Sequence, residues 1–210
     1  MQTEFIIKAA EAIHHAINVN ESEIESLDRE IGDGDHFINL KRGCSSVLDI
    51  KEKISVLSAE EALNHIGLKL LSTVGGASGP LLASFFIAYS QSEKENNLDP
   101  VNQTSKSFTS GVEAIKKRGK ASTGEKTMLD VLIPVSILLN KLANENKDPL
   151  EIIPLIKEVA LKGVLSTRDM IATKGRAANL GERAIGHVDP GAKSCQIMIE
   201  TVCDLILNDK

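Results

Sequence analysis

Residues 1–19 read MQTEFIIKAAEAIHHAINV, and the spacing of their apolar side chains decides the fold class. Phe5, Ile6, Ala9, Ala10, Ile13 and Ile17 recur at the three- and four-residue steps that form one stripe of an α-helix. Ile24 and Leu27 extend the stripe after a break near Asn18–Asn20. The same period predicts a second helix from Phe37 to Val56. A third opens at the capping-box pair Ser58 and Glu61 and continues through Leu63, Ile66, Leu70 and Leu71. Pro80 suits the first turn of a fourth, LLASFFIAYS. A fifth is expected over Thr104–Arg118 and a sixth over Thr127–Leu142, with Pro134 either bending the sixth or marking a later start. Asp148–Pro149 opens a seventh that passes Lys162 and breaks around Ser166, and an eighth fits Ala192–Leu207. Strand-type alternation is scarce and no βαβ unit is found. The expected class is all-α, as one domain over residues 1–210.

Composition narrows the function classes. Hydrophobic residues make up 42% of the chain, but aromatics only 3% and Trp is absent, so the core must be built from aliphatic side chains. The net charge is −5 and no Lys/Arg stripe is interleaved with aromatics, which argues against nucleic-acid binding. No apolar run approaches the roughly 18–20 residues of a membrane span, and the N-terminus lacks an uninterrupted signal region. Cys44, Cys195 and Cys203 are sparse and without CxxC spacing, as expected of reduced thiols in a cytoplasmic protein. His14, His15 and His65 fall within helical stretches and read as structural or surface residues.

The connections alternate in character. Those near 56–59, 92–103 and 145–149 are ordinary polar turns, whereas 28–36, 73–79, 119–126 and 174–191 are rich in Gly, Asp, Lys, Arg, His and Ser. If the helices run up and down, every second connection lies at the same end of the bundle, which gathers the four unusual loops at one rim. The first of them, in LDREIGDGDHFINL (27–40), holds Asp28, Asp33 and Asp35 within eight residues. Like charges about 4 Å apart repel by about 4 kcal/mol at an effective dielectric of 20, so converging carboxylates call for a cation. An EF-hand is excluded, because Phe37 and Ile38 stand where its oxygen ligand and glycine belong. Carboxylates without cysteine favour Mg²⁺, with Mn²⁺ or Ca²⁺ as alternatives, over zinc. The competing reading is a solvated acidic turn with helix-capping aspartates.

The second loop, TVGGASGP, brings Gly75, Gly76 and Gly79 with Ala77 and Ser78 to a helix start, where free amides favour a phosphate; plain capping is the bland alternative. The third, KKRGKASTGEKTMLD, is not a P-loop, since Ala121 follows Gly119-Lys120, but it can border a nucleotide with Met128 against a base. Core packing is the alternative for Met128, and a solvated face for the lysines. The fourth places Lys174, Arg176, Arg183, His187 and Asp189 among glycines. Arginine's planar fork suits phosphate. Arg183 has a structural alternative, pairing with a carboxylate such as Glu182 or an aspartate of the first loop, and His187 reads equally as a hydrogen-bonded histidine or a catalytic one.

With all four loops in view, the chain resembles the nucleotide-binding L subunit of dihydroxyacetone kinases. The resemblance rests on LDREIGDGDHFINLKRG, GGASGP, RGKASTGEKTMLDVLIP and GRAANLGERAIGHVDPGAKS, in that order. It implies a closed barrel of eight up-down antiparallel helices with ADP and two Mg²⁺ ions at one rim. It places metal ligation on Asp28, Asp33 and Asp35. Nucleotide contacts carry over to His36, Phe37, Ile38, Asn39, Ala77, Ser78, Gly119, Met128, Arg176, Asp189, Pro190 and Gly191, with Arg176 also offsetting charge on the transferring phosphoryl group. Phe37 and Ile38 depart mildly from the family pattern, where smaller residues are also plausible.

The stand-alone helical chain resembles the phosphotransferase-system version of these kinases. That resemblance implies a retained ADP/ATP coenzyme, a partner M subunit carrying a phosphohistidine, and a K subunit holding dihydroxyacetone, with a homodimer left open. The alternatives are an L-type subunit serving another short ketose, a magnesium-dependent all-α hydrolase that needs no partner, and a non-catalytic module that binds ADP and a partner.

Overall fold

The computed structural model describes residues 2–93 and 98–208, and among them helices are the only regular elements. The first rod is α1 (Thr3–Val19) followed by α2 (Glu21–Ile31), broken at Asn20, whose side-chain amide donates to the Ala16 carbonyl at 2.8 Å and so caps the end of α1. Then come α3 (His36–Leu48), the single turn α4 (Lys51–Ile54), α5 (Ala59–Thr73) and α6 (Ser78–Glu93). The chain continues through α7 (Pro100–Gly119), α8 (Leu129–Asn144), α9 (Pro149–Ser166) and α10 (Pro190–Asn208), with 3₁₀ turns at Thr167–Asp169 and Arg176–Ala184. Packing follows the order α1, α3, α5, α6, α7, α8, α9, α10, and α10 returns against α1. No described helix is long and apolar enough to cross a membrane.

The all-α expectation holds, and the departures from it are local. The second expected helix stops at Leu48 rather than Val56, because the chain turns at Asp49–Ile50 before the separate α4. The fifth begins at Pro100 rather than Thr104: the Asp99 carboxylate accepts the Val101 and Asn102 amides at 3.1 Å, and Pro100 sits in the first turn. The same Asp-Pro device starts α9, where Asp148 accepts the Leu150 amide at 2.8 Å. Of the connection read at 92–103, residues 94–97 lie outside the described residues. The helix α8 runs unbroken through Pro134. The pyrrolidine nitrogen deprives the Asp130 carbonyl of its donor one turn on. That carbonyl meets Gly163 of α9 instead, where a Cβ would lie only 2.5 Å from the oxygen and 2.9 Å from the Val131 Cα.

The core is aliphatic apart from an aromatic knot. Phe85 lies edge-on to Phe86 and Phe108 at 5.4 and 5.5 Å, and Phe85 and Phe108 pack against both main apolar clusters. One cluster is built on α7–α10 and the other on α1, α3, α5 and α6. Gly111 makes room for the knot, since a Cβ there would fall 2.5 Å from the Phe85 ring. Cys44, Cys195 and Cys203 are all free thiols.

At the start of α5 the expected capping box is present: Ser58 Oγ accepts the Glu61 amide at 3.2 Å, and the Glu61 carboxylate accepts the Ser58 amide at 3.0 Å. Replacing Ser58 by Ala is expected to cost about 1 kcal/mol and about 2–4 °C in Tm. Ligand binding should be unaffected, since Ser58 sits at the opposite end of α5 from the 73–79 loop. A calorimetric melt paired with a nucleotide titration checks both parts.

Candidate functional site

The four unusual loops meet. They line one open cleft of about 850 Å³, its lining residues drawn from within 28–39, 76–81, 115–129, 174–179 and 189–191. That volume suits a small-molecule ligand.

In the first loop, Asp28 lies in the last turn of α2, buried to 4% exposure, while Asp33 and Asp35 are exposed. One carboxylate oxygen from each lies within 4.8 Å of the others. Gly32 is required for the fold of this turn: a Cβ there would fall 1.8 Å from Asp28 Oδ1. Asp28 Oδ2 accepts the His36 amide at 3.0 Å, whereas the Asp35 side chain does not cap α3. Capping therefore accounts for one of the three aspartates only. The Arg176 guanidinium reaches over from the fourth loop to Asp33 Oδ2 at 2.7 Å. An oxygen-only set of three carboxylates that already draws a cationic side chain fits a hard divalent ion such as Mg²⁺.

His36 opens α3 with its imidazole turned to α10, Nε2 standing 2.8 Å from Ser194 Oγ. The Ser194 hydroxyl donates to the Pro190 carbonyl at 2.8 Å, so its oxygen accepts the proton of Nε2. Burial holds the imidazole below the usual histidine range, although Asp28 and Asp35 pull the other way. Asn39 is buried beneath the second loop; a Cβ on Gly75 would come within 3.0 Å of its Oδ1. The helix α6 begins at Ser78, and Gly76, Ala77, Ser78 and Pro80 line the cleft at its N-terminal end.

Gly119 and Met128 line the opposite wall. Glu125 stitches this third loop to the fourth: Oε1 accepts the Thr173 hydroxyl at 2.6 Å and lies 3.6 Å from Lys174 Nζ. In the fourth loop, Asp189 Oδ2 accepts the Ala192 amide at 2.7 Å, with Pro190 and Gly191 beside it on the cleft. The 3₁₀ segment carrying Arg176 is held by Ala177 and Ala184, which pack on Ile31 and Ala172.

Of the expected nucleotide-contact residues, His36, Asn39, Ala77, Ser78, Gly119, Met128, Arg176, Asp189, Pro190 and Gly191 all line the cleft. Phe37 and Ile38 do not. The Phe37 ring packs in the core with Ile17, Ile24, Leu40 and Ile197, and Ile38 points to solvent at 53% exposure. Arg183 is exposed and forms no ion pair among the described residues, so neither expected pairing is seen. His187 Nδ1 lies 3.6 Å from Glu30. His14 and His65 are half-buried and His15 is exposed, all three on helices away from the cleft.

Lys126, read from sequence as part of a solvated face, is the main omission. It is 1% exposed, and its ammonium donates to the Thr167 and His187 carbonyls. Beside it Asp130 accepts the Thr127 amide at 2.7 Å and also the Gly124 amide, a Thr-x-x-Asp spacing that marks the start of α8 but not the buried ammonium.

A profile of the DAK2 domain matches residues 30–204. The chain belongs to the DAK2-domain family. Two bacterial relatives are similar over most of their length. The ADP-binding subunit DhaL of the PTS-dependent dihydroxyacetone kinase of Lactococcus lactis subsp. lactis is 41% identical over 192 residues, covering 90% of this chain and 91% of the relative. Its counterpart in the PEP-dependent dihydroxyacetone kinase of Escherichia coli K12 is 40% identical over 177 residues, covering 84% of each. These relatives are kinase subunits. The crystal structure of the dihydroxyacetone kinase of C. freundii superposes with a TM-score of 0.71 at 22% identity, covering 95% of this chain and 34% of that one. The DAK2 chain thus shares its helical fold with about a third of a longer kinase.

Proposed function

We propose that this DAK2-domain chain is the ADP-binding subunit of a phosphoenolpyruvate-dependent dihydroxyacetone kinase, residues 1–210 forming one nucleotide-carrying domain. What carries the proposal is the convergence of Asp28, Asp33 and Asp35, the Gly76–Ser78 start of α6 and Arg176 on a single cleft. The aspartates would hold two Mg²⁺ ions, which when bound neutralise phosphate oxygens. Ser78 and the amides of its loop grip the β-phosphate at the positive end of α6. Met128 and the Asp189–Gly191 corner, which line the same cleft, would hold the base and ribose.

Arg176, 72% exposed on its segment, leaves Asp33 to meet charge that develops on the migrating phosphoryl group. When bound, the nucleotide would supply the relay of a phosphoryl group from a phosphohistidine on an M subunit to dihydroxyacetone held by a K subunit. No general base is needed from this chain when the acceptor sits on its partner. A cytoplasmic location, alongside the partner subunits, belongs to the same proposal.

Native mass spectrometry of the purified chain should show one ADP and two magnesium ions. Phosphoryl transfer to dihydroxyacetone should require both added partners. A chain that carries no nucleotide, or that hydrolyses nucleotides steadily on its own, overturns the assignment in favour of the hydrolase alternative.

A further inference from the structure

Lys126 combines features that are costly in isolation. Its backbone is left-handed, φ +59°, where a side chain is strained, and its ammonium is removed from water. Two carbonyls from different segments receive that ammonium. Thr167 stands at the C-terminal end of α9, where backbone oxygens lack helical donors, and His187 lies just before α10. Thr167 then makes a second link, its hydroxyl accepting the Asp189 amide at 3.0 Å. Asp130 closes the turn around Lys126 from the α8 side through the Gly124 and Thr127 amides. One buried cation therefore joins the starts of α8 and α10, the two walls that present Met128 and Asp189–Gly191 to the cleft.

We propose that Lys126 is the positioning residue of the nucleotide cleft: its ammonium pins the Met128 wall to the Asp189–Gly191 wall and balances the Asp189 carboxylate between them. The proposal rests on the cleft being a nucleotide site and adds to it the element that sets its width and charge. The charged and titratable groups around Asp189 are Lys126 in the preceding loop, Asp130 on α8, Cys195 on α10, Asp169 facing Lys126 from the 3₁₀ turn, and His36, which is turned to Pro190 from α3. Burial pushes the Asp189 carboxyl up to about 7, and Lys126 is the cation that opposes the rise. Without Lys126 the carboxyl protonates at higher pH.

The test is calorimetric titration of ADP with Mg²⁺ from pH 5.5 to 9 into the parent chain, Lys126→Met, Asp189→Asn and the double variant. Lys126→Met is expected to bind ADP at least about tenfold more weakly at pH 7.5. Its affinity inflection, near pH 7 in the parent, should move to higher pH. Asp189→Asn should lose that inflection and supply the baseline for the nucleotide's own titration. In the Asp189→Asn background the Lys126→Met change should cost clearly less than in the parent, because only the pinning through the Thr167 and His187 carbonyls is then lost. Additive losses, or an unmoved inflection with only a lowered Tm, reduce Lys126 to a structural lysine and overturn the proposal. Lys126→Gln, which retains a donor for the same carbonyls, takes the place of Lys126→Met should that variant not fold, with the same outcomes read. A parent chain that does not bind ADP at all refutes the nucleotide site itself, which is a separate result.

Discussion

Asp28→Ala is expected to purify with less than about one hundredth of the parent chain's ADP affinity. Asp28 is the buried member of the carboxylate trio and serves two partners at once. Under the proposed function it ligates a cation, and its Oδ2 also takes the first amide of α3 at 3.0 Å. The His36 hydrogen bond is made with or without nucleotide, so its loss lowers stability, whereas removing one partner of a buried charge contact costs about 3–5 kcal/mol and that term alone bears on ADP affinity. That corresponds to about 150-fold or more in Kd. Asp28→Asn separates the roles, since an amide oxygen still accepts from His36 while the negative charge is gone. Chromatographic quantitation of ADP released from the gel-filtered variants reads the result. Equal ADP on Asp28→Ala and the parent would remove the cation cluster from the proposed function, and full retention in Asp28→Asn would make Asp28 a helix cap only.

The largest stability effect is expected at Gly163, where α9 crosses α8 with backbone against backbone. Alanine would ordinarily gain about 1 kcal/mol over glycine inside a helix. Here its methyl group would enter space held by the Asp130 carbonyl and the Val131 Cα, neither of which can rotate away. Separating two packed helices costs about 3 kcal/mol or more, so the clash wins and Gly163→Ala should lose about 2–3 kcal/mol net. In a chain of this length that lowers Tm by about 5–10 °C. Gly43→Ala is the control, because the nearest obstacle there is a Val74 methyl on a side chain, and its loss should be less than half as large. Equal melting points for the parent and Gly163→Ala would show that α8 and α9 do not rely on that contact. The displaced Asp130 also braces Lys126, so weakened ADP binding should accompany the drop in Tm.

The helices were legible because their information is local. The stripe from Phe5 to Ile17, the Ser58–Glu61 box and Asp148–Pro149 each act within a turn or two of chain, and each forms the element read from it. The start of α7 was missed although Asp99–Pro100 carries the same device as Asp148–Pro149, which was read correctly. The gathering of four loops at one rim was legible from parity alone, since a chain that reverses at every connection leaves alternate turns at the same end. Side-chain direction was less accessible. Phe37 and Ile38 adjoin His36 in sequence, yet one helical step of about 100° turns the first into the core and the next to solvent. Lys126 was hidden for a different reason: its partners lie 41 and 61 residues away, and no local pattern announces a buried ammonium.

Both ends of the described chain lie at the end of the bundle away from the cleft. The Thr3 hydroxyl donates to the Leu57 carbonyl at 2.8 Å, beside the polar turn that precedes α5. The last helix leaves the cleft at Pro190 and runs 19 residues away from it, roughly 28 Å. Any protein module joined at either end thus starts a full rod's length from the cleft. To deliver an acceptor it must fold back along the flank or serve the cleft of a neighbouring molecule. The fold accordingly keeps both of its described ends clear of the cleft mouth.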